Sequence, residues 1–206
     1  HTIWRITKPN TIHQIINNFK NINQLYIADG HHRMASSLKH NINSKCLAYI
    51  LPKNQLKTYA FHRVLSIHKN YNTIIKKLNQ KLNIKQINTP RKKSKKLQFY
   101  INKKWYEISN NSDNNKLLVE ELLNTVLKPI FNIKNEKNNQ NIRFIPGNKT
   151  IKQIIKNVTD NEILFFMQNI DINTVINIAK KNKTTPPKST FITPKIPSGL
   201  IMMELK

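Results

Sequence analysis

Leu25-Tyr26-Ile27-Ala28-Asp29-Gly30-His31-His32-Arg33-Met34 decides the reading of this chain. Four apolar residues in a row read as a buried strand, and the residues after the break, Met34 to Lys39, continue with helix-compatible propensity. A strand running into a helix is predicted, with Asp29 or Gly30 at the cap and His31, His32 and Arg33 in the first turn. Such a junction leaves backbone N–H groups pointing outward, where they favour an anion. The turn from Asp29 to Arg33 is therefore the candidate functional site, expected at the C-terminal end of a central strand in a concave, partly exposed pocket.

Residue scarcity sharpens this reading. Asp29 is the only carboxylate among the first 106 residues, Gly30 is one of three glycines, and Arg33 is one of five arginines beside thirty lysines. Helix capping would account for Asp29 alone, but not for the residues that follow it. The adjacent histidines diverge by about 100° on a helix, so they cannot share one metal as a pair at i and i+4 does. Asp29 with one of them could still help hold a magnesium-bound phosphate.

Tyr-Ile-Ala-Asp-Gly-His-His-Arg at 26–33, His1-Thr2-Ile3-Trp4 before it and Phe61-His62-Arg63-Val64 after it resemble the bacterial Domain of Unknown Function 1015 family. The run Pro186-Pro187-Lys188-Ser189-Thr190-Phe191 and the segment from Pro194 to Leu200 resemble that family's ending. Members of the family are roughly twice as long, which implies that this chain is the C-terminal portion of a larger protein. The Gly-x-x-Arg element is also similar to the nucleotide-phosphate site of the ParB/sulfiredoxin superfamily, which includes free serine kinases. That likeness implies phosphate handling, a magnesium ion and a nucleotide such as ATP or ADP as cofactors, and free serine or phosphoserine as the small molecule acted on.

The remaining pattern predicts a mixed α+β fold, with a ParB/sulfiredoxin-like strand-to-helix site and a further α/β layer. Strands are expected at Thr2 to Ile6, Cys46 to Leu51, Ala60 to Ile67, Ile142 to Ile145 and Glu162 to Met167. A hairpin is expected from Leu97 to Ile108 around Asn102-Lys103-Lys104. Helices are expected at Pro9 to Lys20, Tyr71 to Leu82, Leu117 to Leu127 (starting near Ser112 or Asp113 and ending before Pro129), Thr150 to Val158, and from an Asp171 cap through Ala179. Asn132 to Asn141 reads as an asparagine- and lysine-rich loop, and Ser189 to Leu205 as two extended segments interrupted by proline. The composition shifts after Asn88, which divides the chain into a signature region, 1–88, and a second α/β region, 89–206, on the same core.

A formal net charge of +25 invites a nucleic-acid reading. Asparagine and isoleucine each supply about one residue in seven, well above ordinary usage, and lysine outnumbers arginine six to one. These ratios suggest an AT-rich coding bias, under which lysine accumulates on any solvated face. Only Arg91-Lys92-Lys93-Ser94-Lys95-Lys96 is a true cluster, and no aromatic residue interleaves it. One cysteine, Cys46, excludes a disulfide within the chain and a cysteine-based zinc cluster, and its apolar neighbours predict a core thiol. No apolar run approaches the roughly 20 residues of a membrane helix, so no membrane partner and a cytoplasmic location are expected.

Two further stretches carry candidate residues. In Phe61-His62-Arg63-Val64, strand alternation places Phe61 and Arg63 on one face and His62 and Val64 on the other, and the family resemblance makes His62 and Arg63 candidates to support the site. Lys188, Ser189 and Thr190 lack the glycines of a P-loop and follow two prolines, which excludes that motif. They are expected to present a cation and hydroxyls to an anion, within reach of the Asp29 to Arg33 turn. The reaction expected is phosphotransfer to or phosphohydrolysis of a small metabolite. Gly30 would cradle phosphate and Arg33 would grip it. Asp29 would act as magnesium ligand or general base, and His31 or His32 would position or protonate an oxygen. The alternatives are a ParB-like nucleic-acid-binding module, using the basic helix at 71–82 and the cluster at 91–96, and an inactive remnant.

Overall fold

The computed structural model describes residues 2–40, 46–68, 70–109 and 116–203. The chain forms two units, His1–Leu47 with Met203–Lys206, and Ala48–Met202.

The smaller unit holds helices α1 (Pro9–Lys20) and α2 (His31–His40). Proline at the first turn of α1 gives up no hydrogen bond, because the first helical N–H groups have no intrahelical acceptor. The expected strands at Thr2 to Ile6 and Leu25 to Ala28 are not formed. These residues, like 46–51, take part in no ladder among the described residues. A β-strand is completed by hydrogen bonds to a neighbour, and among the described residues none of these segments has one. Their side chains are correspondingly open, with Trp4 81%, Leu25 61% and Ile27 47% exposed. Cys46 is likewise exposed and not a core thiol.

The larger unit is built on β1 (Lys57–Ser66), whose apolar and aromatic run Tyr59-Ala60-Phe61 and Val64-Leu65 suits a strand covered on both faces. Its first half pairs with β7 (Thr190–Thr193), and its second half lies between β5 (Ile142–Pro146) and β6 (Glu162–Phe166), all antiparallel. β3 (Gln98–Ile101) and β4 (Lys104–Ile108) form the expected hairpin, and β2 (Ile84–Ile87) adds an edge, giving the order β2-β4-β3-β6-β1-β5 with β7 beside β1. The hairpin turn places both Asn102 and Lys103 at positive φ, which matches the twist of the flanking strands. β2 was not expected; Ile84-Lys85-Gln86-Ile87 is too short for a clear alternation and is defined by its partner β4. One sheet thus joins residues on both sides of position 88.

On one face, Leu65, Phe99, Ile163 and Phe165 pack with Leu78 of α3 (Tyr71–Lys81) and with Leu122, Val126 and Leu127. These three belong to a helix that starts as α4 (Leu118–Glu121), widens to a π segment at Leu122–Leu127, and ends as α5 (Lys128–Phe131). The expected stop before Pro129 is therefore corrected. The π register, with Lys128 N–H donating to Leu123 C=O, lets Pro129 enter the first turn of a fresh α segment, where its missing donor costs least. The expected start near Ser112 or Asp113 lies outside the described residues. On the other face, Val64, Ile145, Leu164 and Phe166 meet Ile154 of α6 (Ile151–Ile155). Helix α7 (Ile172–Lys180) starts as expected, with Asp171 Oδ1 accepting from the Asn173 N–H at 2.8 Å.

Gly147 closes the turn after β5. Its N–H donates to Ala60 C=O at 2.8 Å, and a Cβ at this position would sit 2.8 Å from that oxygen and 3.1 Å from His62 Nε2. We expect Gly147→Ala to destabilise the protein by about 1–3 kcal/mol through this overpacking, read as a lower urea midpoint with an unchanged slope; wild-type stability would show that β1 and the turn move apart freely.

Candidate functional site

The Asp29 to Arg33 turn is a helix start, as expected, but it does not follow a strand. α2 begins at His31, and Gly30 C=O accepts the first helical bond, from Met34 N–H at 3.0 Å. This register leaves the N–H groups of His31, His32 and Arg33 without an intrahelical acceptor. Gly30 bends the chain at φ +83°, in the left-handed region that glycine enters without strain. Arg33 folds back over this bend, its Nε and Nη2 each 3.4 Å from where a Gly30 side chain would begin. His31, His32 and Arg33 are exposed, and Asp29 occupies the bend before them. Among the described residues no group of three His, Cys, Asp or Glu side chains could hold a metal ion.

The other two motifs converge on each other within the larger unit. Arg63 is fully buried on β1, its Nε donating to Glu136 Oε2 at 2.7 Å and its Nη1 to Phe61 C=O at 2.6 Å. Its Nη2 reaches Pro187 C=O at 3.4 Å, and its guanidinium carbon lies 5.4 Å from the Phe144 ring centre. Lys188 Nζ stands 5.2 Å over the Phe61 ring, and Phe191 meets the same ring edge-on at 5.6 Å. Ser189 is buried, its hydroxyl donating to Pro186 C=O, and Thr190 enters β7 opposite Ala60. Phe61-His62-Arg63 and Pro186 to Phe191 therefore form one packed joint.

His62, on the opposite face of β1, is also buried. Its Nδ1 accepts from the Met167 N–H at 3.0 Å, which puts the proton of the neutral ring on Nε2, and the ring stacks on Phe166 at 4.5 Å. Burial, reinforced by the neighbouring Arg63 charge, lowers its pKa from 6.5 to about 4. At neutral pH it is an uncharged ring bridging β1 to the end of β6.

The sequence reading missed Glu136, which lies in the stretch read as an asparagine- and lysine-rich loop. Its signal is the one that marked Asp29: Glu136 is a lone acid among lysines and asparagines in a chain with ten acids and thirty-five Lys and Arg. Glu107 was missed in the same way. It is buried, accepts from Gln98 Nε2 at 2.9 Å, and draws in Arg91 at 3.4 Å and Lys96 at 3.9 Å. Two cations of the basic cluster are thus directed at an internal carboxylate. Among the described residues no helix is long and apolar enough to cross a membrane.

Two measurements test the joint. Glu136→Ala leaves a buried guanidinium without its counter-charge, and we expect a loss of about 3–5 kcal/mol in urea unfolding; replacing both Arg63 and Glu136 with apolar residues should cost less than Glu136→Ala alone. Because the folded state lowers the His62 pKa, its contribution is complete above pH 6.5 and declines as pH falls toward 4. The loss amounts to about 3 kcal/mol across that interval. His62→Asn keeps an acceptor for the Met167 N–H and should flatten this part of the stability profile; an unchanged profile would show that the ring titrates normally.

Comparison with known proteins supports the fold. SbnI with a C-terminal truncation from Staphylococcus aureus aligns over 94% of this chain and 78% of its own, with 10% identity and a TM-score of 0.53. A free serine kinase in complex with AMP aligns at 14% identity over 91% of this chain and 81% of its own, with a TM-score of 0.45. A conserved hypothetical protein from Pyrococcus furiosus aligns at 14% identity over 89% and 81%, with a TM-score of 0.47. No curated protein matches. The likeness to SbnI shows a mixed α+β, ParB-like fold, as the sequence predicted. The family pattern described as Protein of unknown function (DUF1015) matches residues 1–128, more than half of the chain, and the chain belongs to that family.

Proposed function

We propose that the protein is a nucleotide- or phosphate-dependent phosphotransferase or phosphohydrolase acting on a small metabolite, with the Asp29 to Arg33 turn as its anion site. The observation that carries this reading is the Arg33 guanidinium folded over Gly30 at the start of α2. One bend therefore offers an anion a planar cation and the first-turn N–H groups together. Arg33 holds the phosphoryl oxygens, and His31 or His32 positions or protonates an oxygen of the reacting group. A single carboxylate suits magnesium, which binds through one or two carboxylates with the remainder of its shell from water and phosphate. Asp29 is the residue that would hold it, or that would act as general base. Bound there, the metal would neutralise charge on the transferred group. ATP or ADP is the nucleotide proposed and free serine the acceptor, following the similarity of the Gly-x-x-Arg element to that of free serine kinases. The nucleic-acid alternative is less well supported, because Arg91 and Lys96 engage Glu107.

The test is a 31P NMR screen of ATP, ADP and pyrophosphate against serine and phosphoserine, together with a pyrophosphate titration. We expect turnover with at least one pair, and Arg33→Ala should weaken pyrophosphate binding about 10- to 100-fold, the worth of a charge-assisted hydrogen-bonded contact. No turnover across the panel, or pyrophosphate binding unaffected by Arg33→Ala, would overturn the assignment.

A further inference from the structure

Helix α1 carries an apolar face that stays open to solvent. Ile12, Ile15, Ile16 and Phe19 recur at the spacing that lines one side of a helix. No residue of α1 is buried, and these four are all exposed, Ile16 at 49%. The segment ahead of the helix continues the pattern, with Ile3 56%, Trp4 81% and Ile6 52% exposed. Seven large apolar side chains thus stand open within residues 2–20, whereas every buried hydrophobic residue among the described ones lies at Ala60 or beyond. One exposed apolar side chain is ordinary; a run of seven marks a surface that is covered in use.

The charges around this face are all of one sign. Arg5 and Lys8 precede the helix, Lys20 ends it, and residues 2–28 contain no acid. Lys8 occupies the N-cap without a side-chain hydrogen bond, and the first turn holds no acid. The positive end of the helix dipole therefore adjoins Lys8, with Arg5 three residues earlier, an arrangement that an external anion relieves. A second copy of the chain would set the same cations against one another, at a net charge of +25 on each. A nucleic acid would meet the cations but leave the apolar face in water. A bilayer with anionic headgroups satisfies both. An amphipathic helix settles there with its apolar side at the acyl boundary, an indole anchors at the headgroup level, and lysine and arginine reach the phosphates. Such binding needs no spanning helix, and water at that depth still serves the extended backbone of residues 2–6.

We propose that residues 2–20 lie flat on an anionic lipid surface. Trp4 and the face formed by Ile12, Ile15, Ile16 and Phe19 enter the headgroup boundary, and Arg5, Lys8 and Lys20 sit among the phosphates. Asp29 to Arg33 take no part in this contact, so vesicle binding and pyrophosphate binding are lost through different variants.

The experiment follows tryptophan emission and co-sedimentation of the full 206-residue chain with phosphatidylcholine vesicles, with and without phosphatidylglycerol. Trp105, the other tryptophan, is buried, so a change in emission on mixing reports Trp4. Vesicles containing phosphatidylglycerol are expected to shift the emission to the blue and to pellet the chain, an effect that weakens with added salt. Heparin, a polyanion with no apolar interior, should leave the emission unchanged. Arg5→Gln and Lys8→Gln should each weaken vesicle binding about fivefold, the worth of one cation at such a surface. Phe19→Ala, which keeps a strong helix former in the last turn, should weaken it about tenfold. Equal binding to vesicles lacking phosphatidylglycerol would overturn the proposal. So would the same blue shift with heparin or with rising protein concentration alone, or vesicle binding unchanged both by Phe19→Ala and by Arg5→Gln combined with Lys8→Gln.

Discussion

The buried pairing of Arg63 with Glu136 is the constraint on which the larger unit depends. Removing a guanidinium and a carboxylate from water costs several kcal/mol per ion, which only close geometry and further hydrogen bonds offset. Arg63 meets that requirement by reaching three separate stretches of chain: its own strand through Phe61 C=O, the 132–141 loop through Glu136, and the C-terminal region through Pro187 C=O. A charge with this many obligations holds the segments around it in one arrangement. The loop that carries Glu136 is held inward at two points, by Ile133 in the core and by the ion pair.

The same device recurs. Arg143 donates from Nε and Nη2 to the two oxygens of Glu162, linking β5 to β6 on either side of β1. Glu107 ties the 91–96 connector back to β4 through Arg91, Lys96 and Ser94. Each arginine of the larger unit thus meets a buried glutamate. In a chain of net charge +25, acids are the scarce partner, and their positions decide which of the many cations are engaged internally and which are left on the surface.

The three stretches singled out in the sequence have different physical surroundings. Phe61-His62-Arg63 and Pro186 to Phe191 are bound to each other by an aromatic cluster, a strand pair and the reach of Arg63. His62, uncharged at neutral pH and fixed by a backbone N–H, orients the sheet. Asp29 to Arg33 is different: its polar side chains are exposed, and its shape comes from one glycine bend with one arginine folded over it. The first two motifs hold segments of the larger unit together, and the third keeps its polar side chains exposed.

Local signals were legible in the sequence alone. Proline at the head of α1, Asp171 before α7 and the hairpin around Asn102 act over a few residues, so residue type alone announces them. The helix start at His31 and the alternation of Phe61 to Val64 across two faces belong to the same class. What only the tertiary structure decided is which segments find partners. The runs at Thr2 to Ile6, Leu25 to Ala28 and Cys46 to Leu51 carry strand-like residues yet form no ladder among the described residues, while the less distinctive Ile84–Ile87 becomes a strand because β4 lies beside it. Glu136 is seventy-three residues from Arg63, and Pro187 is one hundred and twenty-four. Hydrogen-bond ladders and buried ion pairs join residues that are distant in the chain, so their energy exists only once the fold has brought both partners out of water together.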